Sequence, residues 1–183
     1  MRITAGIHRS RVLKSLEGDN TRPTTDKVKE AVFSKLGTYF DGGVILDLFG
    51  GSGAISLEAI SRGFDRAVII EKSKAACGII KANVKLLKEE DKVTLYNCSY
   101  QTALDKIQGQ QFDLIYADPP YGYRLGSEII KTVHEMDLLK DSGYLVIETS
   151  KEETVDCCEG MSVEKEAVYG ITRITYVRKE TSV

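Results

Sequence analysis

The sequence is poor in metal-binding and membrane-spanning features. It has four cysteines (Cys77, Cys98, Cys157 and Cys158), none spaced as Cys-x-x-Cys, and only two histidines, His8 and His134. That set is too sparse for a zinc site, so no metal is expected, and the cysteines read as the reduced thiols of a cytosolic protein. No apolar run approaches the roughly 20 residues that a membrane helix needs. The opening Met1-Arg2-Ile3-Thr4-Ala5-Gly6 lacks the apolar stretch of a signal peptide. Repeats, low-complexity tracts and Pro/Ser-rich linkers are also missing. A soluble, cytoplasmic chain without a membrane partner is expected.

The remaining composition is that of an ordinary globular domain, 183 residues with 42% hydrophobic and 28% charged side chains. A single domain over residues 1–183 is expected. Net charge is −2, but residues 1–35 hold eight basic groups and four acidic ones, a local +4 that leaves −6 on the remainder. A basic end on an acidic body can steer a polyanion to one face, although a solvated surface has the same appearance.

Residues 1–20 alternate loosely around Gly6 and read as a short basic hairpin preceding a core over 21–183. Thr24-Thr25-Asp26 offers a cap and an acidic first turn, and Val28, Val32, Phe33 and Leu36 are spaced as a helix that stops at Gly37. From Val44 onward, strands alternate with helices. Strands are expected at 44–48, 67–71, 93–97, 112–117 and 144–148, and helices at 53–62, 74–88, 100–107 and 127–136. Such alternation means right-handed βαβ units and a mainly parallel sheet covered on both faces. Two extended stretches, 162–169 and 171–178, joined at Gly170, close the chain as an antiparallel hairpin.

Two motifs fall where strands end, which is where open α/β sheets bind ligands. The first is Asp47-Leu48-Phe49-Gly50-Gly51-Ser52-Gly53. Its glycines allow a tight turn and a close backbone approach to a ligand. Glu71 ends the next strand, where a carboxylate can accept bonds from both hydroxyls of a ribose. A nicotinamide dinucleotide is disfavoured, because Ser56 stands where its third fingerprint glycine belongs and Asp47 would repel a pyrophosphate. The cationic end of S-adenosylmethionine suits Asp47 better. A tight turn that binds nothing is the plainer alternative.

The second motif is Asp118-Pro119-Pro120-Tyr121, which takes two of the three prolines in the chain. The prolines remove two backbone donors but keep their carbonyls. A carboxylate and the Pro119 carbonyl side by side suit an amine with two hydrogens to donate. Gripping both hydrogens draws them out of conjugation and frees the nitrogen lone pair for attack on a methyl group. Tyr121 can stack on a flat base. A rigid proline turn with Tyr121 as packing is the alternative.

These residues resemble a known family. Asp47–Gly53 looks like motif I of class I methyltransferases, and Asp118–Tyr121 like their amino-methylating motif IV. Together with residues 1–6, Thr21-Arg22-Pro23-Thr24-Thr25-Asp26 and Glu58-Ala59-Ile60-Ser61-Arg62-Gly63, nearly the whole chain is similar to the bacterial 16S ribosomal RNA guanine-N2 methyltransferase family (RsmD-type). The resemblance implies a seven-stranded, Rossmann-like class I sheet. It also implies S-adenosylmethionine as methyl donor, S-adenosylhomocysteine as product, and a guanine of 16S rRNA or the assembling small subunit as target. On this reading Asp47, the turn Phe49-Gly50-Gly51-Ser52-Gly53, Glu71 and the adjoining Lys72 contact the cofactor. Asp118, Pro119, Pro120 and Tyr121 carry the chemistry. Arg22 and Thr24 match the family's signature near cofactor and target; a capping turn is the alternative for that segment. Where the family has an acid after the third strand, this chain has Ser99, so a weaker grip on the adenine amino group is expected. Arg9, Arg11 and Lys14 are expected to meet RNA phosphates, and Tyr123 and Arg124 to line the target pocket. A monomer is expected. Rival readings are an N6-adenine methyltransferase, a glutamine-amide methyltransferase, and a non-catalytic RNA-binding assembly factor.

Overall fold

The computed structural model describes residues 1–16 and 26–180. Along the chain the elements are α1 (Asp26–Leu36), β1 (Val44–Asp47), α2 (Ala54–Ser61), β2 (Arg66–Ile70) and α3 (Lys74–Leu87). They continue with β3 (Val93–Tyr96), α4 (Tyr100–Ile107), β4 (Phe112–Ala117), α5 (Gly126–Glu135), β5 (Leu139–Ser150), β6 (Met161–Tyr169) and β7 (Thr172–Lys179). The seven strands form one sheet in the order β3-β2-β1-β4-β5-β7-β6. β3 through β5 pair in parallel, and β7 enters antiparallel between β5 and β6. This is the expected seven-stranded, mainly parallel sheet with its antiparallel terminal hairpin.

The central strands are short apolar runs because both their faces are covered. On one face Ile45, Leu114, Tyr116 and Val146 pack with side chains of α1, α2 and α3, among them Phe33, Leu57 and Ile80. On the other, Leu46, Ile115 and Leu145 pack with Ala103 and Ile107 of α4 and Ile130 and Val133 of α5. Strand order reverses between β1 and β4, and this reversal opens the crevice in which the site lies.

One strand differs from its sequence expectation. β5 begins at Leu139 rather than Tyr144, because Phe112 pairs with Leu139 and Leu114 with Tyr144, leaving a bulge between. Gly143 makes the bulge possible: a Cβ there would stand 2.8 Å from Leu139 Cδ1 and 3.0 Å from the Asp113 carbonyl oxygen. The polar run Lys140-Asp141-Ser142 hides the strand from any reading based on alternation. Elsewhere the expected bounds hold to within a residue or two.

The N-terminal hairpin is a single antiparallel bridge, Arg2 to Val12, extended by bonds from Ile3 N to Arg11 O (2.9 Å) and Leu13 N to Met1 O (3.0 Å). It is fastened to α2 through Glu58, whose carboxylate accepts from Thr4 N (2.9 Å), Thr4 Oγ1 (2.7 Å) and Ala5 N (3.1 Å). The same carboxylate meets Lys29 Nζ at 3.2 Å and Arg62 Nε at 2.8 Å, all three side chains being almost wholly buried. Burial alone would raise the Glu58 pKa, but the Thr4 bonds and the Lys29 and Arg62 charges outweigh it and hold the pKa below the usual value. Gly6 lies so close to α2 that a Cβ would fall 1.7 Å from the Ser61 carbonyl oxygen.

Removing one member of a buried ion cluster strands its partners. Glu58→Ala is therefore expected to cost about 3–5 kcal/mol of stability, read as a lower midpoint in urea denaturation. A loss under about 1 kcal/mol would mean that the cluster contributes little net stability.

Candidate active site

The two sequence motifs lie at the two lips of the crevice, residues 47–53 leaving β1 and residues 118–121 leaving β4. In the first loop Gly50 N donates to Ile70 O at 2.8 Å. A Cβ on Gly50 would stand 2.4 Å from Ile69 Cγ2, so a side chain is excluded where the loop crosses β2. Gly51 has φ +56 with nothing within 4 Å of its missing Cβ, so the backbone there borders open space. Gly53 caps α2 at φ 79, and no side chain caps the helix's amino end. The Phe49 ring rests on Tyr100, with centroids 5.4 Å apart. The Ser52 carbonyl accepts from Asn83 Nδ2 at 2.9 Å.

Asp47 lies beneath this loop and is only 2% exposed. It accepts from Phe49 N (3.3 Å) and Ser56 Oγ (3.1 Å). Burial pushes its pKa up to about 7, partly offset by these two bonds and reinforced by Glu71. So buried a group acts on a ligand chiefly through its field. Glu71 is more open. Its carboxylate accepts from Gly51 N (2.9 Å) and Ser73 N (2.7 Å), which fixes its orientation while leaving lone pairs for two further donors. Lys72 is exposed, and its carbonyl accepts from Asn97 Nδ2 at 3.1 Å. Ser99 caps α4, accepting from Thr102 N at 3.2 Å, so part of its hydroxyl's capacity is already used. Arg22 and Thr24 lie outside the described residues.

On the opposite lip Pro119 is buried and Pro120 exposed. Among the described residues nothing donates to the Asp118 carboxylate or to the Pro119 carbonyl. The Asp118 pKa is held well above the usual carboxylate range by burial first, then by Glu148 and Asp47. Tyr121 is 44% exposed and Tyr123 72%, in a loop where Gly122 and Arg124 have positive φ. Arg9, Arg11 and Lys14 are all exposed on the N-terminal hairpin. Asn83 holds the hairpin's end, pairing with Lys14 N (2.8 Å) and Lys14 O (3.0 Å) while also holding the Ser52 carbonyl.

Two residues of the site escaped sequence reasoning. Glu148 on β5 is 4% exposed and accepts from Tyr116 Oη at 2.7 Å. Its signal was present: like Asp47 and Glu71, it is an acid directly following an apolar strand run. Asn83 left no such signal, since it sits inside an unremarkable helical stretch.

The fold and the paired lips define a class I methyltransferase architecture, and comparison with known proteins agrees. The family model described as "Conserved hypothetical protein 95" matches residues 1–178, and the chain belongs to this family. A Bacillus subtilis protein described as a candidate rRNA methyltransferase, YlbH, is 34% identical over 182 residues, covering 98% of this chain and 99% of its own length. Ribosomal RNA small subunit methyltransferase D of Haemophilus influenzae is 33% identical over 93% of this chain and 90% of its own. The structure of a hypothetical protein from Thermus thermophilus superposes with a TM-score of 0.84 at 28% identity, covering 97% of this chain and 99% of that one.

The residues fit S-adenosylmethionine. Open space beside the Gly51 backbone admits a ligand, Glu71 is oriented with spare acceptors for a ribose, and the acids Asp47, Glu71 and Asp118 stand at the lips where a cationic cofactor would lie. No cluster of His, Cys, Asp and Glu among the described residues could hold a metal, and no described helix is long and apolar enough to cross a membrane.

The buried Asp47 has a consequence for stability. A folded pKa of about 7 against an ordinary 3.8 means that the folded state binds more protons between these values, so stability falls as pH rises from about 4 to 7. Asp47→Asn keeps an acceptor for Ser56 and removes the charge. It is expected to match the wild type near pH 4 and to exceed it by on the order of a few kcal/mol at about pH 8 in urea denaturation. Equal stability of the two proteins at about pH 8 would contradict the assignment.

Proposed function

We propose that the chain transfers a methyl group from S-adenosylmethionine to the exocyclic N2 amine of a guanine in 16S rRNA, free or within an assembling small subunit. The observation that carries this reading is the pair of acceptors at the crevice, the Asp118 carboxylate and the Pro119 carbonyl, neither taken by a described donor. An amino group with two hydrogens satisfies both at once. Holding them bends the nitrogen out of the ring plane and localises its lone pair. Bound S-adenosylmethionine supplies a methyl carbon on a sulfonium, and as the new N–C bond forms the electrons of the broken S–C bond stay on sulfur. The nitrogen gains the positive charge, and Asp118 beside it stabilises that charge and accepts the proton. A neutral methylated amine and a neutral carboxylic acid result. Tyr121, partly exposed on the same loop, supplies a face for the base to stack on. Pro119 and Pro120 hold that loop without competing N–H groups.

In the cofactor half, the Gly50-Gly51-Ser52-Gly53 turn with Phe49 and Asp47 cradles the amino-acid end, and Glu71 with Lys72 meets the ribose. Ser99 offers what remains of its hydroxyl to the adenine, and the family resemblance assigns Arg22 and Thr24 to the same half. The rRNA substrate is supported by the Haemophilus influenzae and Escherichia coli relatives described as ribosomal RNA small subunit methyltransferase D. Arg9, Arg11 and Lys14 present charge to phosphates from a hairpin fixed to the cofactor loop through Asn83. Tyr123 and Arg124 extend the target side.

Incubating the protein with labelled S-adenosylmethionine and, separately, 16S rRNA, 23S rRNA and DNA is expected to label 16S rRNA at guanine N2. Asp118→Ala is expected to abolish labelling while melting as a folded protein. Label on adenine N6 of DNA would favour the rival amino-methylating reading, and an Asp118→Ala protein as active as the wild type would remove the mechanism.

Replacing Arg9, Arg11 and Lys14 together by alanine is expected to weaken RNA binding and to flatten its dependence on log salt by roughly 2 units, as loss of three phosphate contacts requires. Wild-type affinity and slope in that variant would place the RNA elsewhere.

A further inference from the structure

We propose that Asn83 is a positioning residue that couples the cofactor loop to the basic hairpin: one buried side-chain amide holds the backbones of Ser52 and Lys14 together, so that a cofactor seated on its loop readies the hairpin for RNA. The second half of the inference rests on the reading of that hairpin as the RNA contact.

The contacts are those of a strand edge supplied by a side chain. Asn83 Oδ1 accepts from Lys14 N at 2.8 Å, and Asn83 Nδ2 donates to Lys14 O at 3.0 Å. The amide thus meets both backbone groups of one residue, as a neighbouring strand does. Its second N–H goes to Ser52 O at 2.9 Å. These partners fix which way the amide faces, since only its oxygen can meet the Lys14 N–H and only its nitrogen the two carbonyls. Both of its N–H groups are used, and Asn83 is fully buried. A leucine here would fill a similar volume and make none of these bonds.

Helix α3 carries the amide to this place. Its buried face is otherwise Ala76, Cys77, Ile80, Val84 and Leu87. Ile80, three residues before Asn83 on that face, lies against the cofactor loop: a Cβ on Gly50 would come 3.1 Å from Ile80 Cδ1, and one on Gly53 3.5 Å from Ile80 Cγ1. Asn83 continues this contact from the loop to the hairpin. The Ser52 hydroxyl adds a weak bond to Met1 Sδ at 3.8 Å, and Met1 O accepts from Leu13 N at 3.0 Å. Both strands at the open end of the hairpin therefore meet Ser52. The turn end is fastened separately, His8 N donating to Ser61 Oγ and Ile7 N to Ser61 O, each at 2.9 Å.

The cofactor loop is held mainly through its backbone. Gly51 N donates to Glu71, Gly50 N to Ile70 O, and Gly53 N to Gly50 O at 2.7 Å. Of the backbone bonds of this loop, the one from Asn83 to Ser52 O leads to the hairpin. A ligand seated on residues 51–53 restricts the loop and, through Asn83, the Lys14 backbone. Ordering achieved by the first ligand is not required again of the second, so cofactor and RNA each bind more tightly in the presence of the other, by the same factor.

Hydrogen exchange tests the first leg at the Ile3 and Leu13 amides, which bond within the hairpin and not to Asn83. S-adenosylhomocysteine, which carries no methyl to transfer, is expected to slow both amides roughly fivefold in the wild type. Asn83→Ala is expected to lose most of that slowing. Unchanged rates in the wild type, or equal slowing in the variant, overturn the proposal. Should Asn83→Ala not fold, the wild type decides, slowed amides supporting the proposal and unchanged ones overturning it. No RNA enters this measurement, so its failure falls on Asn83; failure of the hairpin as an RNA contact shows instead in the Arg9, Arg11 and Lys14 triple variant. For the second leg, 16S rRNA is expected to tighten S-adenosylhomocysteine binding by the wild type roughly fivefold and to leave that of Asn83→Ala unchanged. Equal tightening in the two proteins, or none in the wild type, overturns the proposal.

Discussion

The parallel pairing of β1 with β4 is the constraint on which the site depends. Ile45, Leu46 and Asp47 lie beside Leu114, Ile115 and Tyr116, and the chain reaches this pairing only after running outward through β2 and β3 and returning. The two strands consequently end side by side while their following helices pack on opposite faces of the sheet. A gap between the two loops is unavoidable, and the chain lines it with glycines on one lip and prolines on the other. Glycine gives the first lip closeness to a ligand, and proline gives the second lip bare carbonyls.

Acids at such an edge are costly because the sheet and helices that form the edge also shut out water. Asp47 and Asp118 both lie far from their ordinary ionisation behaviour, with burial the largest cause in each. The Glu58 cluster handles the same problem in the opposite way. There Lys29, Arg62 and Thr4 surround the carboxylate, and it stays ionised. One buried acid is satisfied and anchors structure. Asp47 and Asp118 face no cation among the described residues and are available to a ligand of positive charge.

Much of this was legible in the residues. The β-branched runs ending in Asp47 and Glu71 gave their strands to within a residue, because parallel strands buried on both faces leave little room for polar residues. Both lips of the crevice could be placed from Asp47–Gly53 and Asp118–Tyr121, since glycine and proline have few reasons to be there other than backbone geometry. The start of β5 was hidden, because a bulge admits Lys140-Asp141-Ser142 to a strand that alternation would end. Glu148 was read as the end of a strand and not as part of the site, since its meeting with Asp118 depends on register across β4 and β5. Asn83 was invisible for a similar reason: its partners, Lys14 and Ser52, lie far away in sequence and are joined to it by backbone atoms that every residue has.

The docking of the N-terminal hairpin bears on how such a protein can diversify. Because Thr4, Ala5 and Gly6 complete the enclosure of Glu58 and Ser61, the hairpin cannot be exchanged wholesale for another segment without opening a charged cavity in the interior. Its outward side chains, among them Ile7, Arg9, Arg11 and Val12, carry no such obligation. Lineages can therefore retune what this face meets one surface residue at a time, while the backbone that carries it is inherited as a fixed frame.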